Sequence, residues 1–445
     1  MRTNTLRESK MKKIKQNVIR FLKKYQMDYL DVDFDTSIDA FLADMQRGLA
    51  GRKSSLEMIP TYIEVEADVP INKPVIAADA GGTNFRVATV YFDERKKPVI
   101  ENLRLFKMPG IQQEISKDEF FKIMASYFKD VINAAKNIGF CFSYAAEILP
   151  DKDGRLIRFS KEVKARQVIG QLIGENLNRT MASIGLDGNK RIIILNDTVA
   201  TLLAGRGYKS KTFSSYVGFI LGTGTNCCYI EKNANIKKKK DLDPSRSQII
   251  NTESGGLAKC HRGKIDIAFD KSTANPGVNK FEKMISGAYL GPCCLCTIHK
   301  ACDEHLFSTA AADMLWQIAE LPTKNMNDFL QYPYGDNPLA KACREGKPED
   351  ALTLYHIAER LTERAAKLTA INLSAMAIKS GHGTDPTQPV CIVAEGTTFY
   401  HMKTLKSRVE FYLKQYLENK RGIYCEIIGV DNATLIGAAI AGLTN

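Results

Sequence analysis

One local pattern occurs twice in this chain, and the repetition limits the fold more than any other feature. An apolar run over 75–80 stops at Gly81-Gly82, and an alternating run over 85–92 follows. Later, a run over 216–221 stops at Gly222-Thr223-Gly224-Thr225, and 227–231 returns. Each is a strand, a Gly/Thr turn and a second strand, the pattern of a hairpin. Two such hairpins predict related half-domains facing one cleft. Around them the spacing predicts helices over 14–30, 37–49, 120–138 and from Asp197 to about 203, then long helices at 296–321 and 350–379. Strands are expected at 139–144, 191–195 and 390–394. A closing helix over 436–443 is expected to pack tightly through Gly437 and Gly442. The alternation predicts an α/β fold with mixed sheets and helices on their faces, and 445 residues suggest two lobes.

Composition removes several function classes. No run reaches the roughly 18 apolar residues that a membrane span needs. The N-terminal segment is lysine-rich and lacks an apolar run followed by small residues, so no secretory signal is expected. The cysteines number eleven, an odd count. The cluster Cys293-Cys294-x-Cys296 has no second pair at zinc-site spacing. Reduced thiols and a cytoplasmic location are therefore expected. The net charge of +12 suits anionic partners. The run Lys237-Lys238-Lys239-Lys240 has no interleaved aromatics for base stacking, so it reads as a solvated loop and not as a nucleic-acid site.

The residues that could do chemistry gather at the turns. A phosphate needs several donors close by, and Gly81, Gly82, Gly222 and Gly224 remove the Cβ atoms that would obstruct them. Thr83, Thr223 and Thr225 add hydroxyls. Asp79, at a strand end, could hold a hydrated Mg²⁺ beside phosphates. Two ordinary glycine hairpins would show the same pattern. The chain lacks G-x-x-x-x-G-K-[ST], which disfavours a P-loop. Asp197 follows an apolar strand, where an acid is poorly solvated and suits a general base; it could equally be the N-cap of the next helix. Asn196, Asn226, Glu253 and Glu282 lie in or beside glycine-rich segments and could bind polyol hydroxyls, or could be surface polars.

In this order the segments resemble the hexokinase family. Ser55-Leu56-Glu57-Met58-Ile59-Pro60-Thr61 is similar to its lead-in. Asp79-Ala80-Gly81-Gly82-Thr83-Asn84-Phe85-Arg86-Val87 is similar to its first phosphate motif, Asn196-Asp197-Thr198-Val199 to its catalytic segment, and Gly222-Thr223-Gly224-Thr225-Asn226 to its second phosphate motif. Asn251-Thr252-Glu253 and Phe281-Glu282-Lys283-Met284-Ile285-Ser286-Gly287 are similar to two sugar-binding segments. The resemblance spans about 40–443. It implies Asp197 as the base that takes the sugar 6-hydroxyl proton, and Lys161 as a group reaching the sugar and the developing charge. It also implies Ser143, Ser160, Asn196, Asn226, Glu253 and Glu282 as sugar contacts. Asp79, Gly81, Gly82, Thr83, Asn84, Arg86, Gly222, Thr223, Gly224, Gly396 and Thr397 would serve ATP, with Mg²⁺ carried on the nucleotide and reached through water from Asp79.

The resemblance further implies a two-lobed, actin-like ATPase (ribonuclease H-like) fold with a central cleft. The small lobe is expected at 72–198 and 433–445, and the large lobe at 1–71 and 199–432. A hexose is the expected substrate, glucose first, with mannose, fructose or glucosamine as further candidates, and the protein is expected to be a monomer or homodimer. Several positions depart from the family. Its Ser-Phe-Pro reads Ser143-Tyr144-Ala145-Ala146 here, its Thr-Lys pair reads Ser160-Lys161, the aromatic after Glu253 is Ser254, and the adenosine-loop acid is Glu395, one methylene longer. These changes border the sugar pocket. They leave the reaction class intact and bear on which hexose is preferred. A sugar-binding regulator with weak or no catalysis is the alternative.

Overall fold

The computed structural model describes residues 2–159, 163–207 and 212–445. Its strands, in chain order, are β1 (Ile59–Pro60), β2 (Val75–Ala80), β3 (Asn84–Phe92), β4 (Pro98–Lys107), β5 (Asn137–Phe142), β6 (Ala145–Ile148), β7 (Gly154–Arg158), β8 (Arg191–Leu195), β9 (Ser215–Leu221), β10 (Thr225–Lys232), β11 (Ser247–Asn251), β12 (Val390–Glu395) and β13 (Cys425–Ile428). A five-stranded sheet has the order β4-β3-β2-β5-β8, and a six-stranded sheet has the order β1-β11-β10-β9-β12-β13. In both, the hairpin strands and the next neighbour are antiparallel, and the last two strands join in parallel. Apart from β1, the two sheets share one topology, and each Gly/Thr turn joins the first two strands of its sheet. The internal repeat read from the sequence is therefore a repeat of architecture.

Strand alternation sorts the core into layers. Ile76 and Ala78 of β2 face outward, with Phe85 and Val87 of β3, onto the helices Lys117–Ser126 and Ile173–Ser183. Val75 and Ala77 face inward with Ala88 and Val90, onto the helices Asp197–Arg206 and Ala433–Thr444. Cys228 and Ile249 of the six-stranded sheet join that inner layer. Two helices are thus packed between the sheets. Contact there is backbone to backbone: a Cβ on Gly139 would lie 1.7 Å from the Ala438 carbonyl oxygen, and one on Gly437 would lie 1.8 Å from that of Ala200. The far face of the six-stranded sheet packs on the long helix Pro348–Ser380 and its neighbours.

Three expected helices differ, the first of them, expected over 14–30, running Arg2–Lys24 and stopping before a separate turn at Tyr29–Asp31. The helix expected over 120–138 stops at Ser126, and Asn137 already begins β5. The N-cap Ser116 starts it earlier, its side chain accepting from the Glu119 N–H. The helix expected over 296–321 is two, Leu290–Asp303 and Thr309–Trp316, broken where His305 takes a positive φ of 56°. No helix among the described residues is long and apolar enough to cross a membrane.

Candidate active site

The first turn is closed by its own backbone. The Gly81 N–H donates to the Asn84 carbonyl at 3.0 Å, and the Thr83 carbonyl accepts from the Met108 N–H at 3.0 Å. The second turn closes likewise, the Gly222 N–H donating to the Gly224 carbonyl at 2.9 Å. Gly81 and Gly222 therefore shape the turns with committed amides, while Thr83 and Thr223 are exposed at the tips. Asn84 opens β3 and is exposed. Gly396 shows why glycine is needed beside the second turn. Its φ is 114°, and a Cβ there would lie 2.2 Å from the Leu221 carbonyl oxygen. Thr397 follows at the start of a short helix, exposed.

Asp79 ends near the first turn with little exposure. Its Oδ2 accepts from Arg86 Nε at 3.0 Å and from the Thr434 hydroxyl at 3.0 Å. Arg86 also donates to Asn432 Oδ1 at 3.1 Å and to Thr434 Oγ1 at 2.8 Å. The guanidinium thus joins Asp79 to the start of the terminal helix, a structural engagement that the sequence motif did not show.

The acceptor side is built from both sheets. Ser143 follows β5, and its N–H donates to the Ala80 carbonyl at 3.1 Å, tying it to the end of β2. Asn196, not Asp197, is the N-cap: its Oδ1 accepts from the Thr198 N–H at 3.0 Å and from the Thr198 hydroxyl at 2.6 Å. Asp197 is the first residue of the helix, and its Oδ1 also accepts from the Thr198 N–H, at 2.9 Å. Opposite lie the ends of β10 and β11. Asn226 Nδ2 donates to Asn251 Oδ1 at 2.8 Å, and Asn251 Nδ2 donates to Glu253 Oε1 at 2.9 Å. Asn226 Oδ1 accepts from the Ser254 N–H at 3.2 Å. Glu282 reaches under the second turn, its Oε2 accepting from the Thr225 N–H at 2.9 Å and its Oε1 from Asn279 at 3.1 Å. Gly224 and Gly255 make room for it, because a Cβ on either would press on the Glu282 side chain. Ser160 and Lys161 lie outside the described residues.

The electrostatics join these groups. Burial pushes the Glu253 carboxyl up to about 7, opposed by the Asn251 hydrogen bond and reinforced by Glu57 and Asp197. Burial also pushes Glu395 up to about 7, reinforced by Asp79 and Asp197 and opposed by Arg86. Glu282 is raised by burial against its two hydrogen bonds. Asp197 adds a smaller upward push to both Glu253 and Glu395. Among the described residues no three acidic, histidine or cysteine side chains form a protein-only metal cage.

Beside the second turn opens a cavity of about 490 Å³, lined in part by Thr223, Ala288, Lys324, Asn327, Thr397 and His401. Its size suits a nucleoside. Lys324 and Asn327, on the helix Thr323–Gln331, were not legible as site residues, since no local pattern links that helix to the turns.

The chain is similar to known hexokinases over most of its length. Two family models described as hexokinase match residues 19–207 and 216–444. Hexokinase-1 of Spinacia oleracea is 28% identical over 431 residues, covering 90% of this chain and 85% of that protein. Glucokinase-1 of Kluyveromyces lactis is 30% identical over 389 residues, covering 76% of this chain and 79% of its own length. The hexokinase of Schistosoma mansoni, solved with glucose, superposes with a TM-score of 0.79 at 24% identity, over 97% of this chain and 99% of that one. Duplicated sheets, paired glycine turns and these matches together place the chain in the hexokinase family of sugar phosphotransferases.

Proposed function

We propose that this protein transfers the γ-phosphate of ATP to the 6-hydroxyl of a hexose, glucose foremost, with Asp197 as the general base. The observation that carries the reading is the place of Asp197, the first residue of the helix that follows β8 and packs between the two sheets. In this reading Asn226, Glu253 and Glu282 hold ring hydroxyls from the six-stranded side, and Ser143 and the free amide nitrogen of Asn196 hold them from the other. Glu253 binds as a carboxylate that accepts hydrogen bonds from ring hydroxyls. Asp197 orients the 6-hydroxyl in line with the phosphate and takes its proton as the bond forms. Ser160 and Lys161 are assigned from their place in the motif, the lysine meeting charge that develops on the phosphoryl group.

Thr83, Thr223 and the amides at the turn tips hold the ATP phosphates, and the cavity beside Thr397 receives the nucleoside. Mg²⁺ bound with ATP would neutralise charge between the β- and γ-phosphates, with Asp79 reaching it through water. The small lobe, 72–198 with 433–445, closes on the large lobe, 1–71 with 199–432. Closure excludes water, itself a competent acceptor. The cytosol is the proposed location.

Initial rates of ADP release with ATP across glucose, mannose, fructose, glucosamine and N-acetylglucosamine test the substrate. Turnover with at least one hexose is expected. Sugar binding without turnover on any of them would replace the catalyst with a sugar-binding regulator. Asp197→Ala is expected to keep the fold by circular dichroism and to lower kcat at least about a hundredfold. A kcat near wild type would remove Asp197 from the role of base.

A further inference from the structure

The two turns share a feature beyond their glycines. In each, the carbonyl of the first glycine is held by a side-chain hydroxyl from a different segment. The Tyr144 hydroxyl donates to the Gly81 carbonyl at 2.7 Å, and the Thr398 hydroxyl donates to the Gly222 carbonyl at 2.9 Å. The Gly222 carbonyl also accepts from the Gly287 N–H at 2.8 Å. A peptide plane carries its C=O and its N–H in opposite directions. Fixing the Gly81 carbonyl therefore fixes the direction of the Gly82 N–H, and fixing the Gly222 carbonyl fixes that of the Thr223 N–H. The Gly81–Gly82 peptide needs such a hold, because glycines on both sides let it turn over without steric penalty. A hydrogen bond to the carbonyl also polarises the N–H of the same peptide and strengthens it as a donor.

Tyr144 is built for this. It is 2% exposed. Its ring lies 4.9 Å from that of Phe142 and 5.0 Å from that of Phe159, centroid to centroid. Ser143 beside it belongs to the proposed sugar contacts, and Phe159 directly precedes Ser160-Lys161. One side chain thus touches the acceptor loop, the segment leading to Lys161, and the first phosphate turn. Where the family resemblance expects phenylalanine, the added hydroxyl reaches the turn.

We infer that Tyr144 and Thr398 are positioning residues that set the phosphate-facing amides of the two turns, Tyr144 also linking the first turn to the sugar loop. This rests on the reading of the turns as phosphate sites. Tyr144→Phe keeps the ring and removes the donor, and Thr398→Val keeps the shape. Each is expected to weaken binding of a non-hydrolysable ATP analogue, measured by calorimetry, about three- to tenfold, the range of one net hydrogen bond. The KM for hexose should stay within about twofold, and the melting temperature should fall by no more than the loss of one buried hydrogen bond implies. In Tyr144→Phe the tightening of analogue binding by added hexose should shrink as well, an effect that a merely structural residue would not produce. Unchanged analogue affinity in both variants overturns the inference, and so does an equal loss of sugar and nucleotide affinity with a larger fall in melting temperature. NMR of protein carrying isotope-labelled glycine separates the two levels. A Gly82 amide that does not shift with the analogue removes the phosphate reading of the turn. A shifted amide with unaltered affinity in Tyr144→Phe removes only the positioning role.

Discussion

Glu253 holds a left-handed backbone, φ 53° and ψ 50°, that a glutamate adopts only under constraint. Its carboxyl pairs with Asn251 while burial raises it to about 7. The sign of the pH effect follows. The folded protein keeps this proton at pH values where the unfolded chain has lost it, so between about 4.5 and 7 the folded state binds more protons and stability falls as pH rises. Glu253→Gln should flatten that part of the slope, as urea titrations at several pH values would show. For catalysis the effect is opposite: a sugar hydroxyl needs the carboxylate as acceptor, so the KM for hexose should rise as pH drops below about 7. Glu253→Gln should show a raised KM with little dependence on pH in the same interval. A wild-type KM that stays flat from pH 8 to 6 would mean that Glu253 does not meet the sugar as an anion.

The helices Asp197–Arg206 and Ala433–Thr444 pack the proposed base against the terminal helix. Gly437 sits where a Cβ would lie 1.8 Å from the Ala200 carbonyl oxygen, three residues along from Asp197. Gly437→Ala must push the helices apart, which is expected to cost about 1–3 kcal/mol of stability by urea titration, the range of an overpacked core, and to lower kcat through displacement of Asp197. Lost stability with unchanged kcat would show that the site tolerates the shift. The small apolar run around Gly437 was legible in the sequence because only close approach calls for so many small residues. The hairpins were legible too, since both glycine turns interrupt apolar runs. Strand β4 was not: Leu103 and Leu105 alternate with Asn102 and Arg104 but are exposed at the sheet edge, so no buried face backs the pattern. Within the site, Asp197 stood out at the end of an apolar strand. The capping role of Asn196 and the engagement of Arg86 by Asn432 and Thr434 did not, because both depend on partners fixed only by the fold.

Across the whole molecule, the proposed sugar contacts divide between two sheets of like topology, so a bound hexose would hold the sheets together. Small-angle scattering should show a smaller radius of gyration on adding hexose, and the melting temperature should rise with hexose concentration; no compaction at saturating sugar would argue for a site formed without lobe closure. The terminal helix adds a consequence in time. It covers the inner face of the five-stranded sheet, where Asn137 Nδ2 donates to the Gly442 carbonyl at 2.8 Å and the Glu64 N–H donates to Asn445 Oδ1 at 2.9 Å. The strands of that sheet are complete by Leu195, yet their cover is encoded after β13. During synthesis the ribosome must add the residues between, taking on the order of ten seconds or more. For that interval Val75, Ala77, Ala88 and Val90 lack one of their packing partners, so this apolar face stays open until the helix Ala433–Thr444 emerges.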